Sequence, residues 1–229
     1  MHKPPLYLSF DLDDTLWPIA PTMVHAEQVL VDWLVQHAPR LGADFAQLRV
    51  PLRAKIIEQN PDWHFQVSRV RRLMIQQALQ QAGYSLKQAE VLSQQAFAAY
   101  LQARQQVTFF HDTLSTLQQL AKRYPLLALT NGNADIQQVG LSDYFQHALN
   151  AEQIGVGKPD PQAYQRLLSV ADITPAQLVH IGDNPQDDIL GAQQMGIRTV
   201  WFNPTQVPWQ HAIEPTYQIQ RLAQLLDIF

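Results

Sequence analysis

The sequence predicts an α/β fold in which a doubly wound parallel sheet carries an inserted all-helical segment. A short apolar run at residues 6–10 is followed by a long stretch, residues 18–104, that is rich in Gln, Ala and Leu. Beyond residue 105, apolar runs of strand length alternate with amphipathic runs of helix length, which favours a parallel sheet covered on both faces. The expected domains are therefore an α/β core, residues 1–17 and 105–229, and a helical insert, residues 18–104.

The first strand and the helices of the insert each have a local signal. Residues 6–10 (LYLSF) are rich in strand formers. In the insert, apolar residues recur at helical spacing over residues 29–34 and again over residues 67–79. Gly83 is typical of the position after a helix C-terminus, and Ser85 of the N-cap of the next helix.

The rest of the chain alternates between strand and helix signals. The predicted strands are Leu126–Leu129, His147–Asn150, Leu178–Ile181 and Thr199–Phe202. The predicted helices are His111–Arg123, Ala134–Val139, Pro161–Val170, Gln186–Met195 and Ile219–Leu226. The proline-rich segment from Asn203 to Pro215 is predicted to be a surface loop.

Composition excludes several classes of protein. The formal net charge of −4 gives no electrostatic footprint for nucleic acid. The absence of cysteine removes disulfides, thiolate metal sites and cysteine nucleophiles. No apolar stretch approaches the roughly 18 residues that span a membrane, and the N-terminus lacks a signal-peptide pattern. We therefore expect a cytoplasmic protein with no membrane or nucleic-acid partner.

Polar clusters follow several of the predicted strands. The first strand runs into Asp11–Thr15, the second into Thr130–Gly132 and a later strand into Gly182–Asn184, while Gly157–Pro161 precedes a helix. Ligands of open α/β sheets bind beyond the carboxyl ends of the strands. The convergence of these clusters on one edge of the sheet predicts an active site there.

Asp11 and Asp13 are a candidate catalytic pair. Residues two apart in extended backbone project to the same side, so both carboxylates can face the site. Such a pair suits phosphoryl transfer, in which one carboxylate attacks phosphorus and the other protonates the leaving oxygen and later deprotonates water. A calcium loop starting at Asp11 would need glycine at Leu16 and glutamate at Thr22, which excludes that alternative. A merely structural acidic turn is the alternative that remains open.

Thr130, Asn131 and Lys158 are candidates for holding a phosphate. The Thr130 hydroxyl and the backbone N–H groups of Asn131 and Gly132 can donate to an anion, although Thr-Asn-Gly is also a common turn sequence. A lysine held at position 158 can neutralise both an aspartate nucleophile and phosphoryl oxygens.

Asp183 is a candidate metal ligand, and Asp187 and Asp188 follow it in the next turn. Carboxylates from two strand ends can hold Mg²⁺, which prefers oxygen ligands. The alternative for Asp187 is that its charge favours the first turn of a helix.

Together, DLDDT at 11–15, TNG at 130–132, GKPDP at 157–161 and GDNPQDD at 182–188 resemble the motifs of the haloacid dehalogenase-like hydrolase superfamily. The resemblance implies a Rossmann-like core with an inserted helical cap, and Mg²⁺ as cofactor. It implies that Asp11 is the nucleophile and Asp13 the acid/base. It also implies phosphate binding by Thr130, Asn131 and Lys158, and metal binding by Asp11, Asp13 and Asp183 with support from Asp188; the Asp13 ligand would be its backbone carbonyl.

A narrower resemblance concerns the substrate. LTNGNA at 129–134, GLSDYF at 140–145 and the segment 69–82 are similar to bacterial phosphatases that act on FMN and 5-amino-6-(5-phosphoribitylamino)uracil of riboflavin synthesis. This implies a small phosphorylated metabolite as the substrate, and we expect a monomer or weak dimer. Candidate specificity residues in the cap are Trp63, Arg69 and Arg71, whose cations and aromatic face suit a flavin-like ring.

Other functions stay open at this point. A sugar- or nucleotide-phosphate phosphatase and a phosphomutase share the same core motifs. A haloacid dehalogenase would use Asp11 to attack carbon, which would leave Asp13 and Asp183 without a role. A non-catalytic binding module is disfavoured because every reactive group is present.

Overall fold

A computed structural model describes residues 6–229, while residues 1–5, assigned above to the core, lie outside the described residues. The chain forms two compact units. One contains the described residues up to Pro18 together with Thr108–Phe229, and the other contains Ile19–Val107. The division therefore falls at 18/19 and 107/108, where the sequence placed it at 17/18 and 104/105.

The first unit is built on a parallel six-stranded sheet. Its strands are β1 (Tyr7–Phe10), β2 (Leu126–Thr130), β3 (Phe145–Asn150), β4 (Leu178–Gly182), β5 (Arg198–Phe202) and β6 (Tyr217–Ile219). The strand order is β3-β2-β1-β4-β5-β6, so β1 lies between β2 and β4. The connections reverse direction beside β1, which is the switch point of a doubly wound fold and confirms the predicted fold class.

Helices account for most of the remaining chain. The α-helices are α1 (Ile19–His37), α2 (Phe45–Gln59), α3 (Val67–Gln81), α4 (Leu86–Arg104), α5 (Thr113–Ala121), α6 (Ala151–Ile154), α7 (Pro161–Ala171), α8 (Gly191–Gln194) and α9 (Leu225–Ile228). A π-helical segment covers Pro185–Leu190, and short 3₁₀ turns cover Gly42–Asp44, Pro61–Trp63, Pro175–Gln177 and Leu222–Gln224. No helix within residues 6–229 is long and apolar enough to cross a membrane.

The helical unit, α1 to α4, has its own apolar core. Leu34, Val70, Met74 and Leu79 are buried there, as the helical spacing of apolar residues predicts. The capping signals between α3 and α4 are also confirmed. Gly83 has a φ of 82°, and Ser85 forms a reciprocal capping box with Gln88.

Two predicted helices are wrong. Residues 134–139 form a turn, because the Asp135 carboxylate accepts a hydrogen bond from the backbone N–H of Gln137 at 2.8 Å and so competes with helix formation. The predicted helix over Ile219–Leu226 is instead the end of β6, a 3₁₀ turn and the start of α9. The edge strand β6 was missed because it is only three residues long and half polar.

The chain leaves the core unit and returns to it at one point. The backbone carbonyl of Leu16, after β1, accepts hydrogen bonds from the Phe110 N–H at 3.1 Å and from the Thr113 hydroxyl at 2.9 Å. Both donors lie just after the helical unit ends. The two ends of the insertion are thus joined within the core unit.

A row of polar residues crosses the middle of the sheet. Ser9 of β1 is in register with His180 of β4, and His180 is in register with Thr199 of β5. All three are fully buried. In-register neighbours of parallel strands project to the same face, so these side chains lie side by side.

Candidate active site

The carboxyl ends of β1, β2 and β4 open into one cavity of about 180 Å³ in the core unit. Every core residue selected from the sequence lines it: Asp11, Asp13, Thr130, Asn131, Lys158, Asp183 and Asp188. The strand order explains why these residues lie close together, because the central strand β1 is flanked by β2 and β4. Trp63, Arg69 and Arg71 belong to the helical unit.

Asp11 continues β1 by one residue, and its backbone N–H donates to the Ile181 carbonyl of β4 at 2.9 Å. The chain then turns sharply, since Asp14 has a φ of 58°. Asp13, two residues beyond Asp11, is half-buried. Its Oδ1 accepts a hydrogen bond of 2.9 Å from Nε1 of Trp17. Trp17 is fully buried and supports Asp13.

Lys158 is buried, and its ammonium group bridges two carboxylates. Nζ lies 2.6 Å from Oδ1 of Asp11 and 2.5 Å from Oδ1 of Asp188. A buried ammonium group needs such partners because the loss of its hydration is otherwise uncompensated. Lys158 is therefore directed at the candidate nucleophile.

Asn131 fixes the backbone of this lysine. Its Nδ2 donates to the Lys158 carbonyl and its Oδ1 accepts from the Lys158 N–H, both at 2.8 Å. Nδ2 also donates to Oδ2 of Asp187 at 3.2 Å. The side-chain amide is thus engaged within the protein, and phosphate binding by the Asn131 backbone N–H stays a prediction.

Thr130 ends β2 and is almost fully buried beside the cavity. Its hydroxyl oxygen accepts a hydrogen bond from the N–H of Gly132 at 3.1 Å. That bond leaves the hydroxyl proton available to an acceptor in the cavity.

Asp188 is held through both of its carboxylate oxygens. Its Oδ1 accepts from Lys158 and from Nε2 of His180, and its Oδ2 accepts from the Asn184 N–H at 2.9 Å. Gly182 makes room for it, because a Cβ at that position would lie 2.2 Å from the Asp188 Cγ. Only glycine fits at the end of β4 for this reason.

Burial and charge set the proton affinities of these groups. Burial raises the pKa of Asp11 well above its usual value, and the charges of Asp188 and Asp183 add to the effect while Lys158 opposes it. Burial, followed by the charge of Asp188, raises the pKa of Asp183 to about 7. For Asp188, burial would also raise the pKa, but Lys158 and His180 hold it well below its usual range. Burial would lower the pKa of Lys158, but Asp11 and Asp188 raise it.

These residues fit a divalent cation. Asp11, Asp183 and Asp188 each offer a carboxylate oxygen, and these oxygens lie within 4.8 Å of one another. The raised pKa values of Asp11 and Asp183 reflect burial and repulsion that a cation would relieve. Because the oxygens of Asp188 already accept from Lys158, His180 and Asn184, Asp11 and Asp183 are the better placed direct ligands. Asp183 is itself oriented by the Thr15 hydroxyl, at 3.1 Å.

The doubly wound core and a site of converging aspartates with a buried lysine define a class of hydrolase. A family model for haloacid dehalogenase-like hydrolases matches residues 8–196, and the chain belongs to that family. It is 31% identical over 225 residues to the 5-amino-6-(5-phospho-D-ribitylamino)uracil phosphatase YigB of Escherichia coli K12, covering 96% of this chain and 94% of YigB.

Two further similarities point to different reactions. The phosphoserine phosphatase of Thermus thermophilus is 29% identical over 161 residues, covering 68% of this chain and 63% of that protein. The crystal structure of a 2-haloacid dehalogenase from Pseudomonas syringae pv. Tomato DC3000 is 40% identical, covers 98% of each chain and superposes with a TM-score of 0.95. The family is therefore established, while the reaction has to be argued from the site.

Sequence reasoning missed Ser9, His180 and the role of Trp17. Ser9 and His180 are polar residues inside otherwise apolar strands, and a buried polar group needs a hydrogen-bonding partner. That irregularity in the strand pattern was the available signal. The bond from Trp17 to Asp13 follows from the turn geometry, which the sequence does not reveal.

Proposed function

We propose that the protein is a Mg²⁺-dependent phosphatase that hydrolyses a small phosphorylated metabolite through an aspartyl-phosphate on Asp11. The observation that carries the proposal is that Asp11 lies 2.6 Å from the Lys158 ammonium group and has a carboxylate oxygen within 4.8 Å of one of Asp183. Asp13 lines the same cavity and supplies the acid/base that phosphoryl transfer to oxygen requires.

In the first step a carboxylate oxygen of Asp11 attacks phosphorus, and the bond from phosphorus to the substrate oxygen breaks. Asp13 gives its proton to that leaving oxygen. In the second step water attacks the same phosphorus while Asp13 takes its proton, and breakage of the bond to Asp11 regenerates the carboxylate and releases phosphate.

The remaining residues hold the phosphoryl group. The Lys158 ammonium group and the Thr130 hydroxyl, with the backbone N–H groups of Asn131 and Gly132, supply positive charge and donors at the cavity. Asp11, Asp183 and the backbone carbonyl of Asp13 would hold Mg²⁺. When bound, the ion offsets the repulsion between carboxylates and phosphate and stabilises charge on the transferring group.

Asp11→Asn tests the proposal directly. The amide is nearly isosteric but a poor nucleophile, so release of phosphate from p-nitrophenyl phosphate should be abolished with the fold intact. Asp143→Asn, at an exposed position, is the matched control. Trapping of a phosphorylated Asp11 peptide by mass spectrometry would identify the intermediate. Wild-type activity in Asp11→Asn would contradict the mechanism.

For the physiological substrate we propose FMN or 5-amino-6-(5-phosphoribitylamino)uracil, supported by the similarity to YigB and by the sequence segments 69–82, 129–134 and 140–145. The core motifs contact only the phosphoryl group, so selection requires groups outside them. In the helical unit Arg69 lies 3.6 Å over the Trp63 ring and presents a cation–aromatic pair.

Arg71 is more enclosed in the helical unit than Arg69 is. It pairs with Glu27 at 2.5 Å and lies 3.9 Å over the Tyr100 ring. We therefore propose that Arg69 and Trp63 contact the substrate and that Arg71 influences selection by shaping the unit. Measurement of phosphate release from a panel of flavin, sugar and nucleotide phosphates would distinguish these candidate substrates. Transfer of the phosphoryl group to a second hydroxyl of the substrate, instead of to water, would identify a phosphomutase.

Haloacid dehalogenation is the second candidate because of the 40% identity to the Pseudomonas syringae dehalogenase. In that reaction Asp11 would attack carbon and expel halide, and neither Asp13 nor a cation at Asp183 would be needed. Chloride release from 2-chloropropionate, measured beside phosphate release from p-nitrophenyl phosphate, decides between the two. Chloride release that survives chelation and Asp183→Asn would favour the dehalogenase.

A further inference from the structure

A chain of buried hydrogen bonds extends from the active site into the middle of the sheet. Oγ of Ser9 lies 2.7 Å from Nδ1 of His180, and Nε2 of His180 lies 3.2 Å from Oδ1 of Asp188. Ser9 and His180 are fully buried, and Asp188 is 1% exposed. The mechanism above uses neither Ser9 nor His180, although both are polar residues in central strands.

The direction of these bonds follows from the chemistry of their ends. Oδ1 of Asp188 accepts from Lys158 and belongs to an ionised carboxylate, which has no proton to donate. His180 must therefore carry a proton on Nε2 to bond with it. A second cation beside the Lys158 ammonium group is unfavourable in this dry interior, so the fully buried His180 ring is neutral. The neutral ring then accepts at Nδ1, and the Ser9 hydroxyl donates.

This series of hydrogen bonds limits the movement of the Asp188 carboxylate. Its Oδ1 is held by His180 and Lys158, its Oδ2 by the Asn184 N–H, and its Cγ packs against Gly182, 2.2 Å from where a Cβ would lie. The carboxylate cannot rotate without losing at least one of these contacts. The position of Asp188 sets the position of Nζ of Lys158, which has Asp11 as its other partner.

We propose that Ser9 and His180 are positioning residues: through one fixed tautomer of His180 they hold Asp188 so that Lys158 stays directed at Asp11. The proposal rests on the proposed function for its effect on rate, but the tautomer is a property of the folded chain. Neither residue touches the reacting atoms. Their role is to keep a buried carboxylate, and through it an ammonium group, in one place.

A set of matched variants tests the effect on rate. His180→Leu keeps the bulk of the ring but removes the donor, whereas the amide N–H of His180→Gln can still reach Asp188. We expect His180→Leu to lower kcat for p-nitrophenyl phosphate by about 10- to 100-fold, the effect typical of residues that orient ligating groups, and His180→Gln to restore most of it. Thr199→Val removes a buried hydroxyl from the same row and should leave kcat unchanged, because its side-chain oxygen accepts from Nε2 of Gln193 and from the Thr216 N–H, outside the active site.

The tautomer is tested without activity. In the protein with ¹⁵N-labelled histidine, the resonance assigned to His180 by its loss in His180→Gln should show a protonated Nε2 and a bare Nδ1. In Ser9→Ala that Nδ1 loses its donor, so its chemical shift should move while thermal unfolding confirms the fold. A protonated Nδ1 in the wild type, or equal kcat losses in His180→Leu, His180→Gln and Thr199→Val, would overturn the proposal. A wild type with the expected tautomer but no phosphatase activity would instead count against the proposed function alone.

Discussion

The side chain of Asn131 pairs with the main chain of Lys158 in both directions, donating to its carbonyl and accepting from its N–H at 2.8 Å each. The amide therefore acts as a clamp on the loop that delivers the lysine. Asn131→Ala removes both bonds, and we expect kcat/KM for p-nitrophenyl phosphate to fall by about 10- to 100-fold. Gln138→Ala, at an exposed position in the following turn, is the control. Equal values for the two variants would mean that the loop holds Lys158 without the clamp.

Replacement of Lys158 by Met should affect stability as well as activity. The change leaves Asp11 and Asp188 buried without their cation, and breaking a buried pair in this way costs about 3–5 kcal/mol. Loss of Lys158 raises the already raised pKa of Asp11 further and removes the main charge that holds the pKa of Asp188 down against burial. The folded state then binds more protons than the unfolded state, so stability should decrease as pH rises.

Guanidinium unfolding of Lys158→Met at pH 5.5 and 7.5 measures this effect. The variant should lose less free energy of unfolding, relative to the wild type, at the lower pH. Lys122→Met, at an exposed position, should show no loss at either pH. A loss that is larger at pH 5.5 would contradict the assignment of buried, unpaired carboxylates.

Gly182→Ala should disturb Asp188 although residue 182 has no side chain in the site. A Cβ there would lie 2.2 Å from Cγ of Asp188, so the carboxylate would have to shift away from Lys158 and from the Asn184 N–H. We expect loss of most activity and a lower melting temperature. The double variant with Asp188→Gly removes the clash, and partial recovery of the melting temperature without activity would confirm its cause.

Trp17→Phe isolates the support of Asp13. It keeps most of the aromatic packing of Trp17 against Phe109 but deletes the donor to Oδ1 of Asp13. Hydrogen bonds to charged groups contribute about 1.5–3 kcal/mol, and we expect kcat to fall by about 10-fold with little change in KM. Trp33→Phe in the helical unit is the control. An unchanged kcat in Trp17→Phe would show that the turn alone orients Asp13.

Removal of the divalent cation should abolish phosphate release and lower the melting temperature. A bound cation would relieve repulsion among Asp11, Asp183 and Asp188, and a ligand that binds the folded state stabilises it by mass action. Asp183→Asn should reduce the shift in melting temperature on adding MgCl₂, whereas Asp172→Asn should retain it. Full activity in excess EDTA would exclude a metal-dependent mechanism.

The fold class and the membership of the site were predictable because both follow from strand ends. Asp11, Thr130 and Asp183 each end an apolar run, and the alternation of strands and helices implies that these ends meet. The details were not predictable. The engagement of Asn131 with the Lys158 backbone depends on a loop conformation, and the burial of Ser9 beside His180 depends on the pairing of β1 with β4.

Local signals predicted the wrong secondary structure at residues 134–139 and after Ile219. Residues 134–139 have helix formers, but the Asp135 carboxylate captures a backbone N–H and turns the chain. The helix expected after Ile219 gave way to a short edge strand that depends on β5 for its hydrogen bonds. In both places the contact that decides the structure cannot be recognised from the local spacing of apolar residues.

The hydrogen bonds from Phe110 and Thr113 to the Leu16 carbonyl have a consequence for how this chain can change. They join the two ends of the inserted segment, so the insertion is a closed loop with respect to the core unit. The entropy of closing a loop grows only slowly, by about 0.6 kcal/mol for each doubling of its length. Insertions of different size and sequence can therefore replace one another between these hydrogen bonds with little change in the free energy of folding of the core unit. The chemistry at the strand ends and the segment between residues 18 and 108 are free to evolve as separate modules.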